Sequence, residues 1–72
     1  MTDREISYVS TIARCGSITQ AAEQLFIAQP SLTQALHRIE AEYGTVFFHR
    51  RQGVLRLTAA GQAYLNPSNR RK

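Results

Sequence analysis

The sequence has little from which disulfides, metal sites or membrane spans are built. It contains a single cysteine, Cys15, so it cannot form an internal disulfide, and no cysteine and histidine cluster with zinc spacing surrounds that residue. No apolar run approaches the ~20 residues that cross a bilayer. The first residues, MTDREIS, lack the basic and then apolar order of a signal peptide. These absences favour a cytoplasmic protein in which Cys15 serves packing.

The sequence also lacks what an enzyme requires. His37, His49 and Cys15 share no catalytic spacing, and there is no glycine-rich phosphate loop. With 72 residues, of which 43% are hydrophobic, the chain can form one small domain whose core cannot enclose a substrate pocket. We therefore expect no catalytic site, no metal and no cofactor.

Acidic residues are missing from the C-terminal part of the chain. Residues 1–42 hold three arginines and five acids, whereas residues 43–72 hold five arginines, one lysine and no acid. The formal net charge of +4 favours a polyanionic partner. Half of the six C-terminal positive charges lie in the last three residues, so the overall charge supports such a partner without identifying it.

Two helices are predicted in the first third of the chain. Thr2 and Glu5 have the spacing of a capping box, which predicts a helix over residues 3–14, and Gly16 suits its left-handed end. The apolar stripe of this helix is Ile6, Val9, Ile12 and Ala13. Ser17 can cap a second helix over residues 18–26.

A third helix follows so closely that the two must form a corner. Ala21 and Ala22 are small, which lets another helix cross closely, and Pro30 suits the first turn of a helix. The third helix is predicted over Gln29–Tyr43, with a buried stripe of Leu32, Leu36, Ile39 and Tyr43. Its other face carries Ser31, Thr33, Gln34, His37 and Arg38. That face suits the base edges of a DNA major groove, although a merely solvated side is the alternative.

Beyond Gly44 the pattern changes to that of a short β-hairpin. The turn is predicted near Gln52 and Gly53. Leu55 and Leu57 should share the inner face, with Arg56 pointing outward, and the pair of phenylalanines before the hairpin should anchor it to the helices.

Three linked pieces of the sequence resemble one known family. They are ISYVSTIARCGSITQAAEQL, then QPSLTQALHRIE, then FFHRRQGVLRLTAAG, and in this order they are similar to the LysR-type transcriptional regulators of bacteria. The resemblance implies a mainly α fold, a three-helix winged helix-turn-helix with a short two-stranded β wing and the start of a linker helix. It also implies a domain that binds double-stranded DNA as part of a homodimer.

The resemblance implies contacts with bases, or with the adjoining sugar-phosphate, for Gln29, Pro30, Thr33 and Gln34. The chemistry fits, because a glutamine can bond an adenine edge and a proline ring or threonine methyl can touch a thymine methyl. The full set of candidate DNA-binding residues is Ser17, Thr19, Gln29, Pro30, Ser31, Thr33, Gln34, His37, Arg38, Arg50, Arg51 and Arg56.

Structural roles remain open for several of these candidates. Ser17 can act only as a cap, and Gln29 or Ser31 can be the N-cap of the third helix. The hairpin charges can serve only to prevent aggregation, and Arg50 can tie the hairpin to the domain body. Glu40 is expected to pair with a basic side chain.

The sequence departs from the family pattern at several positions. Ala28 stands where a capping serine is usual, Gly53 where the wing usually carries an arginine, and Tyr43 where a smaller apolar residue is usual. Thr58 can cap a last helix that ends by residue 65, because the next residues, NPSN, read as a stop. In the family this helix continues as the linker that pairs two subunits.

We therefore divide the chain into a winged helix-turn-helix over residues 1–57, the start of a linker helix over 58–65 and a disordered tail over 66–72. A reduced dimer patch is expected from Leu57, Ala60, Tyr64 and Leu65. Either a fragment of a regulator or a naturally truncated one has this pattern. The sequence predicts sequence-specific binding to a two-fold symmetric DNA operator. The alternative is a helical protein-interaction module with only nonspecific DNA affinity.

Overall fold

The computed structural model describes residues 1–65, which form four helices and one antiparallel two-stranded sheet. The elements are α1 (Asp3–Cys15), α2 (Ile18–Leu25), α3 (Gln29–Tyr43), β1 (Phe48–Arg51), β2 (Val54–Leu57) and α4 (Ala59–Leu65). This is the predicted mainly helical winged helix-turn-helix. The tail predicted over 66–72 lies outside the described residues.

The ends of the first two helices follow from local chemistry. The Thr2 hydroxyl accepts from the Glu5 N–H at 3.1 Å, and the Glu5 carboxylate accepts from the Thr2 N–H at 3.1 Å, which confirms the capping box. Gly16 ends α1 with a φ of 68°. The predicted end of α2 was one residue too long, because Phe26 leaves the helix in the left-handed conformation with a φ of 60°.

The core lies between the first three helices and is closed by the hairpin. Its buried apolar residues are Val9, Ile12, Ala21, Ala22, Leu32, Leu36, Ile39, Phe47 and Leu55. The small residues of α2 are fully enclosed, as expected where α1 and α3 both pack against it. The prediction was wrong for Ile6, which is 37% exposed because it lies one turn beyond Val9, where this core ends.

Hydrogen bonds attach the hairpin and the residues that flank it to the helices. The Leu55 N–H donates to the Gly16 carbonyl at 3.0 Å, so the end of α1 holds β2. The Thr58 hydroxyl donates to the Val46 carbonyl at 2.8 Å and accepts from the Gly61 N–H at 3.0 Å. Thr58 therefore caps α4, as predicted, and also fixes α4 to the segment that precedes the hairpin.

Phe47 connects α3 to α4 through its backbone. Its N–H donates to a Glu40 carboxylate oxygen at 2.8 Å, and its carbonyl accepts from the Thr58 N–H at 2.9 Å. Glu40 was expected to pair with a basic side chain; instead it holds this peptide N–H, since the chain turns back on itself after Gly44.

Two tyrosines extend the core around Phe47. The Phe47 and Tyr64 rings stack with centroids 5.7 Å apart, and the Tyr43 and Tyr64 centroids are 4.6 Å apart. The pKa of the Tyr43 hydroxyl is raised above its ordinary value, mainly by partial burial and to a smaller extent by the nearby carboxylates of Glu42 and Glu5. Tyr43 therefore joins the core as a neutral aromatic residue.

Over residues 1–65, no helix has the length and apolar character needed to cross a bilayer.

Candidate nucleic-acid interface

The first two turns of α3 present polar side chains to solvent. Leu32 is completely buried and Leu36 and Ile39 nearly so, which fixes the rotation of the helix about its axis. Most of the predicted contact residues on α3 are exposed, namely Gln29, Pro30, Ser31, Gln34, His37 and Arg38; Thr33 is half-buried. One side of α3 thus forms an accessible row of hydrogen-bonding groups.

The start of α3 has no side-chain cap. The N-cap is Ala28, whose side chain cannot accept a hydrogen bond. The alternative that Gln29 or Ser31 is the N-cap is therefore wrong. The Ser31 and Leu32 N–H groups bond to the Ala28 carbonyl, at 3.1 and 3.2 Å. No acidic residue lies in the first turn of α3, so no carboxylate there offsets the positive end of the helix dipole.

The start of α2 lies beside the start of α3. The Ser17 hydroxyl accepts from the Gln20 N–H at 3.2 Å and caps α2, as predicted. The Thr19 hydroxyl donates to the Gln29 side-chain oxygen at 3.1 Å. The first turn of α2 also lacks acids. The structure therefore brings Thr19, a candidate DNA-binding residue of α2, into contact with Gln29, one of the predicted base-contacting residues of α3.

The wing, β1 and β2 with their turn, separates its three arginines between two faces. Facing residues across the ladder share a face, and Arg50 faces Leu55, whereas Arg56 faces His49 and Arg51 faces Val54. Leu55 is buried and Arg56 exposed, as predicted. Arg51 and Arg56 thus lie on the outer face, while Arg50 lies on the inner face and is exposed there.

The same register adds His49 to the candidate DNA-binding residues predicted from the sequence. His49 is exposed and shares the outer face with Arg51 and Arg56. The two-residue turn has Gln52 at φ 53° and Gly53 at φ 79°, the positive values typical of a tight hairpin turn. Strict alternation counted back from Arg56 through this turn would have placed His49 on that face.

The predicted dimer patch is partly occupied by contacts within the chain. Leu57 and Leu65 are half-buried and pack against the core. Tyr64 is 45% exposed although its ring contacts two core aromatics, and Ala60 is half-buried. The patch therefore offers mainly one tyrosine edge rather than a continuous apolar surface.

The chain thus combines a helix that has an exposed polar side with a two-stranded wing whose exposed face is basic. The model of the lysR family of bacterial regulatory helix-turn-helix proteins matches residues 4–62. The chain belongs to this family. Its winged helix-turn-helix is the DNA-binding domain that LysR regulators carry, as the resemblance implied.

Relatives and solved structures agree with this assignment. The LysR chain is 47% identical over 60 residues to the uncharacterized HTH-type transcriptional regulator YcgK of Bacillus subtilis (strain 168), covering 83% of this chain and 18% of that protein. It is 34% identical over 67 residues to the HTH-type transcriptional regulator TcbR of Pseudomonas sp. (strain P51), covering 93% of this chain and 23% of that protein. The chain thus spans about a fifth of the length of these relatives.

The similar structures include a LysR-family domain bound to DNA. The crystal structure of the CbnR DBD–DNA complex superimposes with a TM-score of 0.82 at 34% identity, covering 97% of this chain and 80% of that chain. The BenM DBD in complex with benA site 1 DNA gives a TM-score of 0.84 at 28% identity, covering 96% of this chain and 78% of that chain.

Proposed function

We propose that this chain binds double-stranded DNA sequence-specifically, as the DNA-binding part of a bacterial transcriptional regulator that acts in the cytoplasm. The observation that carries the proposal is the exposed polar row on α3, held outward by completely buried Leu32 and started by a turn without acids. A helix of this kind fits the major groove with its N-terminal residues at the base edges. The similarity to domains solved on DNA supports the same docking.

Base preference is assigned to the first turns of α3. Gln29 and Gln34 carry amides that can bond a base edge in two places, and Pro30 and Thr33 offer apolar atoms to a thymine methyl. Ser31 lies in the same turn. His37 and Arg38 lie further along, where phosphates and outer bases are reached, and the guanidinium adds a permanent charge.

General affinity is assigned to the wing and to the start of α2. Arg51 and Arg56 lie on the outer face of the wing, where arginine side chains can follow a phosphate backbone or enter a minor groove. His49 extends this face, whereas Arg50 is better placed to contact backbone from the inner face. Ser17 and Thr19 lie at the start of α2, where hydroxyls and backbone N–H groups can hold a phosphate.

The partner arrangement proposed is a homodimer on an operator with two-fold symmetry. Each copy would read one half-site, and Tyr64 together with Leu57, Ala60 and Leu65 would contribute to the contact between copies. A seven-residue helix such as α4 contributes little association on its own. Pairing by this chain should therefore be weak.

The deciding experiment is selection from a pool of random duplexes by the purified chain across a salt series. An enriched palindrome supports both the base-reading surface and the pairing of two copies. Enrichment of a lone half-site supports the reading surface and overturns the dimer on this chain. Salt-sensitive binding with no enriched sequence overturns sequence-specific recognition and leaves the protein-interaction module as the better explanation.

Gln34→Ala tests the base-reading assignment within that experiment. The variant should lose preference at one base position while its affinity for random DNA changes little. Gln62→Ala, which removes the same side chain from an exposed position on α4, is the matched control. Equal losses on selected and random DNA would contradict the assignment.

A further inference from the structure

The hydrogen bond between Thr19 and Gln29 joins two elements that the chain brings together only on folding. The Thr19 hydroxyl donates to Gln29 Oε1 at 3.1 Å, across a separation of ten residues in the sequence. Both side chains belong to exposed residues. The bond is thus made at the surface of the candidate interface, between the second residue of α2 and the first of α3.

In the structure this bond is made to the oxygen end of the Gln29 carboxamide. A glutamine amide has an oxygen that accepts and an NH2 group that donates, and turning it by half a rotation exchanges them. A free, exposed glutamine can present either end to a base. Because Thr19 occupies one lone pair of Oε1, the NH2 group points away from Thr19 with both of its protons available.

We infer that Thr19 is a positioning residue, which holds the Gln29 amide so that its NH2 group faces an acceptor on a base edge. The acceptors that the major groove offers are guanine N7 and O6, adenine N7 and thymine O4. The second lone pair of Oε1 stays free, so an adenine can still be bonded in two places, whereas a cytosine, which offers only a donor there, gains no bond from the NH2 group and is disfavoured. This inference rests on the proposed function and adds a source of specificity that lies outside α3.

The competing role for Thr19 is a direct phosphate contact. A phosphate contact acts alike on every sequence, whereas a positioning residue acts only where Gln29 meets a base. Thr19→Val removes the hydroxyl and keeps the branched shape, and Thr19→Ser keeps the hydroxyl. The residue is exposed, so both variants should fold, and thermal unfolding of each checks this.

The experiment compares base frequencies selected from random duplexes by the parent chain, Thr19→Val and Thr19→Ser, and repeats Thr19→Val in a Gln29→Ala background. In the parent background Thr19→Val should reduce discrimination at one base position by about fivefold, the loss of one neutral hydrogen bond. Thr19→Ser should restore it. In the Gln29→Ala background Thr19→Val should change nothing further, since its effect passes through the missing amide.

The outcomes separate this inference from the proposed function. A parent chain that selects no sequence overturns the proposed function and the inference with it. If the parent chain selects a sequence and Thr19→Val selects it with the same discrimination, the inference alone is overturned. Equal loss on every duplex, in both backgrounds, overturns it in favour of a phosphate contact.

Discussion

Replacing Phe26 with glycine should stabilise the domain, although Phe26 is a large apolar residue. It ends α2 with a φ of 60° and a ψ of 41°, in the left-handed region, and its side chain is 92% exposed. The Phe26 N–H bonds to the Glu23 carbonyl at 3.2 Å, and a glycine keeps this bond. The substitution therefore removes conformational strain and sacrifices almost no buried apolar surface.

The size of the effect follows from two opposing terms. A residue with a Cβ atom costs about 1–2 kcal/mol in this conformation. Glycine recovers that cost but loses about 0.5–1 kcal/mol through the greater freedom of the unfolded chain. The net gain in the free energy of unfolding should be about 0.5–1 kcal/mol. For a domain of this size that raises Tm by roughly 4 °C.

Thermal and urea unfolding, followed by circular dichroism, measure this change. Phe26→Ala is the matched control, because it removes the phenyl ring and retains the Cβ atom, and its stability should stay within about 0.5 kcal/mol of the parent. Phe26→Asn should resemble the glycine variant, since asparagine tolerates the left-handed conformation. A loss of more than about 1 kcal/mol in both the glycine and alanine variants would refute the reasoning, because it would mean that the ring packs within the folded chain.

Three further predictions concern α4, the loop before the wing and the wing itself. Gly61→Ala should lower the free energy of unfolding by about 1–3 kcal/mol, since a Cβ there would lie 2.7 Å from the Phe47 carbonyl oxygen. Ala63→Ser, at an exposed position on the same helix, is the control and should have little effect. Equal urea midpoints for the two variants would contradict the close approach. Glu40→Ala should cost about 1–3 kcal/mol because it leaves the Phe47 N–H without its acceptor, and Glu40→Gln, which keeps an acceptor, should lose less; the opposite order in urea unfolding would exclude this role. Arg51→Ala should weaken binding to selected and random duplexes alike and reduce the salt slope by about one, whereas an unchanged slope would remove Arg51 from the phosphate contacts.

The helices were predictable because their signals are local. The apolar spacing of α3, closed by Gly44, gave its bounds as Gln29–Tyr43, and those are the bounds observed. The end of α2 was not predictable in this way. No glycine marks it, and Phe26 takes a conformation that its own chemistry disfavours.

The candidate site was predictable as a list of residues and not as an arrangement. Helical periodicity separates the outward face of α3 from the core, but it carries no information about a neighbour ten residues away, so the bond from Thr19 to Gln29 was missed. The role of Glu40 was missed for the same reason, since its partner is a backbone N–H brought back by the following turn. The division of the wing arginines depends on the register, which one shift of the turn would reverse.

The backbone of Phe47 is hydrogen-bonded both to α3 and to the start of α4. One of its bonds runs to Glu40 on α3 and the other to Thr58 at the start of α4, at 2.8 and 2.9 Å. Gly61 of α4 also packs closely against the Phe47 backbone, since a Cβ atom on Gly61 would lie 2.7 Å from the Phe47 carbonyl oxygen. Because α3 and α4 are joined through this single residue, we expect a change in the direction of α4 to shift α3 as well.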